Sequence, residues 1–423
     1  MRDLFEPITR DERQNEGIKK WITSKCKATL EYATGVGKTY TAIKAIKAVL
    51  KKYPDFKILV IVPTEGLQKQ WKTHLATHDL VFNSDVQIVN TAIRYTWQCD
   101  ILVLDEIHRF AADKFYNVFT KVKYRCILGL TATLDRFDEK HKILEKYCPI
   151  CDSIPIAEAL ANGWVSDYTE YKVILDVDDI ETYNNYNKEF NKHYEFFNFD
   201  YNLIMSLVGP KGFVNKINYR DKICTNPQHK SEALKLINYH ANGFMKMMQA
   251  RKQFIYNHPM KLELTREIIK YRPNSKIITF SANTTMAEAI GIGFVYTGKE
   301  SKKKNRIKLD AFAAMPSGVL NTIKKANEGL DIAGLSVAII LGMDSSATTS
   351  IQRKGRVIRK EGDKHAEIFT FVINNTVETK WFEKSHTKDS KYITIGVKGL
   401  MQVLNGEEPE LYTKPIPKLT FRF

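Results

Sequence analysis

The chain has 423 residues, 43% of them hydrophobic, and sets 64 Lys and Arg against 48 Asp and Glu, for a formal net charge of +16. That length can bury at least two cores, and the positive surplus points to a polyanionic partner, because neutralising phosphates releases condensed counterions. No stretch is long and apolar enough for a membrane span, the first residues lack a signal peptide's apolar segment, and the six cysteines are unevenly spaced, so a cytoplasmic, non-secreted chain with no membrane partner and no disulfide framework is expected.

Taken in order, Ile8 to Gln14 precede a helix-like run from Glu16 to Ile22. Gln14, just upstream of that run, is a candidate reader of adenine, since an amide both donates and accepts. Lys27 to Leu30 then reads as a strand, Glu31 to Thr39 as a Gly-rich turn ending in Gly-Lys-Thr, and Tyr40 to Ile46 as a helix. A polyphosphate needs this order: N–H groups of a tight turn converge on the oxygens, and the helix N-terminus adds its positive dipole end. Thr34, Gly35, Val36 and Gly37 are the candidate cradle, and the two glycines let the backbone curl closely. Lys38 is assigned to the β- and γ-phosphates and Thr39 to Mg²⁺, which makes ATP with Mg²⁺ the expected ligand. The strict pattern wants a further Gly where Tyr32 stands.

Lys57 to Thr64 reads as a buried strand ending in Pro63 and Thr64, and Leu67 to Trp71 opens a helix. Ligands bind at the carboxyl ends of parallel strands, so Pro63 and Thr64 are candidate contacts to a nucleic-acid backbone. A second apolar strand, Ile101 to Leu104, ends in Asp105-Glu106-Ile107-His108. Mg²⁺ is held by few carboxylates, which suits Asp105; Glu106 is then placed to orient or deprotonate the attacking water, and His108 to relay the nucleotide state. Cys126 to Thr133 is a further strand, ending in Thr131-Ala132-Thr133.

With Ala33-Thr34-Gly35-Val36-Gly37-Lys38-Thr39, Asp105-Glu106-Ile107-His108 and Thr131-Ala132-Thr133 in this order, the chain resembles the superfamily 2 helicases and translocases. The resemblance implies an α/β fold of two RecA-like domains with parallel sheets, and it implies that Thr131 and Thr133 couple hydrolysis to movement on nucleic acid. It places the first domain at 1–154 and the crossover to the second at 155–175.

From 176 to 260 the pattern changes. Glu181 to Met260 holds eleven Lys or Arg, six Asp or Glu and fourteen Phe or Tyr. Tyr183, Tyr186, Phe190, Tyr194 and Phe197 recur at helical steps. The stripe is expected to be the core of an inserted helical subdomain, with the exposed Lys and Arg around it available to nucleic acid.

The second domain is expected over 261–400. Lys276 to Ser281 restarts the strand pattern, with Ser281 at the fourth-motif position, and Lys299 to Arg306 is a dense basic run. Val319 to Thr322 reads as a strand, with Thr322 a coupling candidate, and Asn327-Glu328-Gly329-Leu330-Asp331 follows. This form resembles the fifth motif of DNA-translocating members more than that of RNA helicases; Gly329 allows the turn and Asp331 is assigned to the ribose or the sixth motif. Gln352-Arg353-Lys354-Gly355-Arg356-Val357-Ile358-Arg359 opens a helix on which Arg356 and Arg359 lie one turn apart, so both can face the γ-phosphate. Gln352, Arg356 and Arg359 are the catalytic candidates of this half. Ala366 to Ile373 closes the pattern, and 401–423, with two prolines near its end, reads as an extended arm.

The resemblance is nearest to the DNA branch that includes XPB-like and phage UvsW-like recombination helicases. It implies action on DNA rather than RNA, in replication, recombination or repair, with protein partners from those processes. RNA unwinding, and an ATPase switch that clamps nucleic acid and remodels a protein partner, are the alternatives. Cys148 and Cys151 have metal-ligand spacing that only Cys224 and His229 could complete, and are read as small apolar residues near a domain junction.

Overall fold

The computed structural model describes residues 8–111, 115–132, 141–210, 212–323, 332–343, 355, 357, 364–386 and 391–415. Two parallel sheets organise them. The first lobe contains, in chain order, β1 (Lys27–Tyr32), β2 (Ile58–Val62), β3 (Ser84–Ile88), β4 (Trp97–Gln98), β5 (Ile101–Asp105), β6 (Val122–Lys123), β7 (Cys126–Thr131) and β8 (Ile150–Ile154). Six of these form a sheet in the order β3-β2-β5-β7-β1-β8, while β4 and β6 pair with each other outside it.

The apolar runs become strands because both faces of the sheet are covered, which a continuous rather than alternating run requires. Successive side chains then sort by period two. Ile58, Val60 and Val62 of β2 enter one core with Trp21, Ile43 and Trp71, whereas Leu59 and Ile61 enter the other with Phe110 and Phe119.

The helix over α1 (Arg10–Thr23) starts earlier than the apolar run suggests, because Thr9 and Glu12 form a reciprocal capping box that supplies two of the helix's unpaired donors. Gln14 therefore lies inside the helix rather than before it. The lobe's other main helices on this face are α2 (Lys38–Leu50) and α3 (Glu65–Thr77).

The second lobe holds β9 (Tyr168–Leu175), β10 (Lys276–Ser281), β11 (Phe294–Tyr296), β12 (Gly318–Ile323), β13 (Leu335–Ile340), β14 (Ala366–Ile373) and β15 (Ile393–Ile395), in the order β11-β12-β10-β13-β14-β9-β15. The expected crossover at 155–175 divides between the lobes. Ala159, Trp164 and Val165 pack into the first core, while β9 lies inside the second sheet between β14 and β15.

The insertion is helical, over Ile180–Glu195, Tyr201–Val208, Gly212–Ile223 and Lys230–Tyr256. Its aromatic stripe is core: Tyr194 and Phe197 are buried with Ile237 and Phe244, and Phe190 packs against them. Phe197 lies past the end of its helix. Tyr183 instead joins the second lobe's core, where its hydroxyl accepts from the Val377 N–H at 3.1 Å.

The arm expected from 401 is docked as far as it is described. Residues 401–405 complete the helix Val397–Asn405, which buries Leu400, Val403 and Leu404. Leu411 bridges Ile395, and the Tyr412 hydroxyl donates to Asp176 at 2.9 Å. Its amphipathic spacing, rather than the terminal prolines, governs this stretch. Among the described residues no helix is long and apolar enough to cross a membrane.

Candidate active site

Because the first sheet is parallel, its strands deliver their following residues to one edge. Register sets them level: Asp105 lies opposite Leu130 and Glu31 opposite Thr131. The phosphate loop after β1, the Asp-Glu pair of β5 and the Thr131 hydroxyl of β7 are thereby brought together.

Gly35 and Gly37 have φ of +94° and +93°, the left-handed region where glycine carries no Cβ penalty. Gly37 ends the loop and leads into α2, whose first residue is Lys38. The Gln14 amide donates to the Val36 carbonyl at 2.8 Å, and a Cβ on Gly37 would stand 3.0 Å from that amide nitrogen. Gln14 thus braces the loop. The Lys38 ammonium donates to the Tyr32 carbonyl at 3.0 Å, folded back along its own loop.

Asp105 is 5% exposed. Its Oδ2 accepts from the Trp71 indole N–H at 2.8 Å and its Oδ1 from the Glu106 N–H at 3.1 Å. Burial, and then the neighbouring Glu106 charge, push its carboxyl up to about 6, against the opposing pull of the Trp71 bond and the Lys38 charge. A buried carboxylate in that position is better satisfied by a cation. The Asp105 carboxylate and the Thr39 hydroxyl are hard oxygen donors of the kind Mg²⁺ takes, and the left-handed Gly35 and Gly37 curl the loop that precedes Thr39, so the donor set fits Mg²⁺ with a triphosphate.

Glu106 has a left-handed φ of +53°, which costs a non-glycine residue on the order of 1–3 kcal/mol and is concentrated at functional sites. One carboxylate oxygen lies 3.4 Å from His108 Nδ1, and that nitrogen is 3.0 Å from the Thr131 hydroxyl. The chain Glu106, His108, Thr131 connects the Asp-Glu pair to the end of β7.

The second lobe reaches this site through Gly355. A Cβ on Gly355 would stand 2.2 Å from the Thr34 Cβ. The lobes also meet through an ion pair between Lys302, in the basic run, and Glu65, the first residue of α3. Thr133, Gly329, Asp331, Gln352, Arg356 and Arg359 lie outside the described residues.

Pro63 and Thr64 sit half-buried at the end of β2, with the Thr64 hydroxyl capping α3 by accepting from the Leu67 N–H. The coupling candidates Ser281 and Thr322 are both fully buried, and the Thr322 hydroxyl donates to the Thr279 carbonyl inside the sheet at 2.7 Å. Thr322 lies level with Phe280, the neighbour of Ser281, so the Ser281 and Thr322 side chains leave opposite faces of a sheet covered on both.

Two contributors escape motif reasoning. Trp71 is one, although Trp71 and Leu75 lie four apart on α3 and are its buried residues. Arg13 is the other: it donates to Asp152 and Glu158 at 2.7 Å and to the Ser153 carbonyl at 2.8 Å, fixing α1 to β8 and to the crossover. The cysteines that shared metal-like spacing bond elsewhere. Cys148 and Cys151 both contact Thr29, and the Cys224 thiol donates to the Asn226 carbonyl in the insertion. Among the described residues no cluster of three His, Cys, Asp or Glu could hold a metal.

Residues 8–93 and 87–136 match the type III restriction enzyme res subunit family, and residues 260–361 match the helicase conserved C-terminal domain. The two matches fall on the two lobes, in the order the motifs require. The chain belongs to the superfamily 2 helicases and translocases.

The helicase is 25% identical over 398 residues to the DNA 3'-5' translocase XPB2 of Sulfurisphaera tokodaii, covering 89% of this chain and 84% of that protein. It is 34% identical over 151 residues to a putative ATP-dependent RNA helicase QP509L of African swine fever virus, covering 30% and 28%. Saccharomyces cerevisiae Dbp5, solved with RNA and ADP BeF3, shares the fold of the helicase at a TM-score of 0.58 and 12% identity, over 93% of this chain and 92% of that one.

Proposed function

We propose that this helicase is an ATP-driven motor that moves along DNA and unwinds or remodels branched duplexes. The observation that carries the reading is the meeting of Gly355, in the second lobe, with Thr34, in the phosphate loop of the first. Thr34 to Gly37 cradle the phosphates, Lys38 leaves the Tyr32 carbonyl to neutralise them, and Gln14 reads adenine while bracing the loop. Thr39 and Asp105 hold Mg²⁺, which when bound offsets charge on the β- and γ-oxygens. Glu106 orients water. Arg356 and Arg359, with Gln352, are assigned to the charge on the transferring phosphoryl group, a contribution of about 10³ to 10⁵ in rate.

Hydrolysis then alternates the closed contact with an open one. Each lobe grips backbone separately, the first through Pro63 and Thr64 and the second near the Lys302 run, so alternation steps the pair along a strand. His108 and Thr131 carry the nucleotide state to that track. Gly329 is assigned to the same coupling from the second lobe, with Thr133 from the first, and Asp331 to the ribose or the sixth motif.

DNA is favoured over RNA by the Asn-Glu-Gly-x-Asp form at 327–331 and by the extent of the match to the archaeal DNA translocase. Comparing ATPase stimulation by single-stranded, duplex and forked DNA and by RNA, alongside triplex displacement, tests the reading. Stimulation by DNA with ATP-dependent displacement is expected. Stimulation by RNA alone, or hydrolysis without displacement, contradicts it.

A further inference from the structure

We propose that Trp71 is a positioning residue for metal-dependent nucleotide binding, holding the Asp105 carboxylate in register and tying it to the helix that follows the candidate DNA contacts Pro63 and Thr64. The inference rests on the reading above that Asp105 holds Mg²⁺ with the triphosphate.

The argument starts from what the core alone demands. Trp71 is 1% exposed, among Ile43, Ile46, Val60 and Val103 on the helix-covered face of the first sheet. A Phe or Leu would satisfy that apolar volume with no polar atom to place. A buried indole N–H must find an acceptor. The one it finds is the carboxylate assigned to the metal, at 2.8 Å.

The two carboxylate oxygens are each fixed from the protein side, Oδ2 by Trp71 and Oδ1 by the Glu106 N–H. A carboxylate has about four lone-pair sites, so one bond on each oxygen sets the plane of the group and leaves the remaining lone pairs for a cation. Such outer partners orient metal ligands, and their loss commonly costs about 10- to 100-fold in metal affinity.

The same residue sits on α3, which is tied down at several places besides the Glu65–Lys302 ion pair. Thr64 caps its first turn, the Gln68 amide donates to the Val86 carbonyl at 2.6 Å, and Trp71 reaches Asp105. Pro63 and Thr64 lead directly into this helix. A small shift of α3 when a strand binds at its N-terminus is therefore passed to the metal carboxylate through one hydrogen bond, a route separate from the His108 and Thr131 relay.

Trp71→Phe keeps the ring and removes the donor. Affinity for a fluorescent ADP is to be titrated in EDTA and across a series of Mg²⁺ concentrations, for the wild type, Trp71→Phe, Asp105→Asn and the double variant. The expected result is unchanged affinity in EDTA, a roughly tenfold higher Mg²⁺ requirement in Trp71→Phe, and no further loss when it is added to Asp105→Asn. Equal weakening with and without Mg²⁺, or an unchanged Mg²⁺ requirement, overturns the proposal. A wild type whose ADP affinity ignores Mg²⁺ instead removes the reading on which it rests.

A second measurement does not depend on Trp71→Phe folding. With ¹⁵N-labelled tryptophan, the chain gives five indole N–H signals. One is expected to move on addition of Mg²⁺ with ADP and in Asp105→Asn; signals unmoved by both overturn the proposal.

Discussion

Gly355 and Thr34 belong to different lobes and touch: a β-carbon built on Gly355 would lie 2.2 Å from the Thr34 Cβ and 2.8 Å from its hydroxyl oxygen. Real carbon atoms do not approach so closely, so the contact has room for no side chain at 355. Glycine stands here because the Thr34 side chain of the other lobe comes this near.

Gly355→Ala is expected to hold the lobes apart. The added methyl meets a half-buried loop residue rather than a flexible tip, so closure over the nucleotide is blocked while each lobe keeps its own core. Nucleic-acid-stimulated ATP hydrolysis should fall by about 10²-fold or more, since misplacing catalytic groups by an ångström costs that much. Thermal melting should stay near that of the wild type. Steady-state kinetics and a melting curve on the same preparation check both halves.

Thr131→Val removes the hydroxyl that meets His108 Nδ1 at 3.0 Å and keeps the shape. Hydrolysis is expected to persist at a comparable rate, because valine keeps the strand and its pairing with β1. Strand displacement per ATP consumed should fall severalfold, and a gel-based unwinding assay run beside phosphate release measures the ratio.

The second lobe contains a buried ion pair, Lys261 with Glu378, both fully inaccessible. Lys261 also donates to the Leu341 carbonyl at 3.0 Å, and Glu378 accepts from the Ile373 N–H. Burial drives both groups toward their neutral forms, the Lys down and the Glu up, with each charge opposing that drift in the other. Lys261→Met alone should cost about 3–5 kcal/mol in chemical denaturation, because it leaves a buried carboxylate uncompensated. The double variant Lys261→Met, Glu378→Leu should recover most of that loss.

Asp152 gives a pH dependence with a definite sign. Burial raises its carboxyl, but bonds from Arg13, Lys20 and Tyr32 outweigh burial and hold it below its ordinary value of 3.8. Its contribution to stability is therefore complete above about pH 4 and lost as pH falls through the lowered folded value. Asp152→Asn should be less stable than the wild type at pH 6, and the gap should narrow as both are acidified below pH 4. Melting temperatures over that range measure it.

The candidate nucleotide site was legible because it is local. Strand, turn and helix around Gly35 to Thr39, and the apolar strand ending at Asp105, are contiguous in sequence, so their periods and glycines declare them. What was not legible depends on partners distant in sequence. Trp71 reads as any buried helix residue until β5 places Asp105 beside it, and Arg13 reads as a surface charge until β8 arrives. Ser281 and Thr322 occupy the expected motif positions, yet the second sheet is covered on both faces and buries each of them. The Thr9 and Glu12 capping box shows the opposite failure, since the signal was present and the apolar run that begins later obscured it.

The central claim is that two lobes share one triphosphate, each supplying groups the other lacks. Its most direct test compares Lys38→Ala, in the first lobe, with Arg359→Ala, in the second, by ATP binding and by DNA-stimulated hydrolysis. The account predicts that both lose hydrolysis, Arg359→Ala by about 10³-fold or more, while only Lys38→Ala loses ATP affinity. Arg359→Ala hydrolysing ATP at the wild-type rate would contradict it.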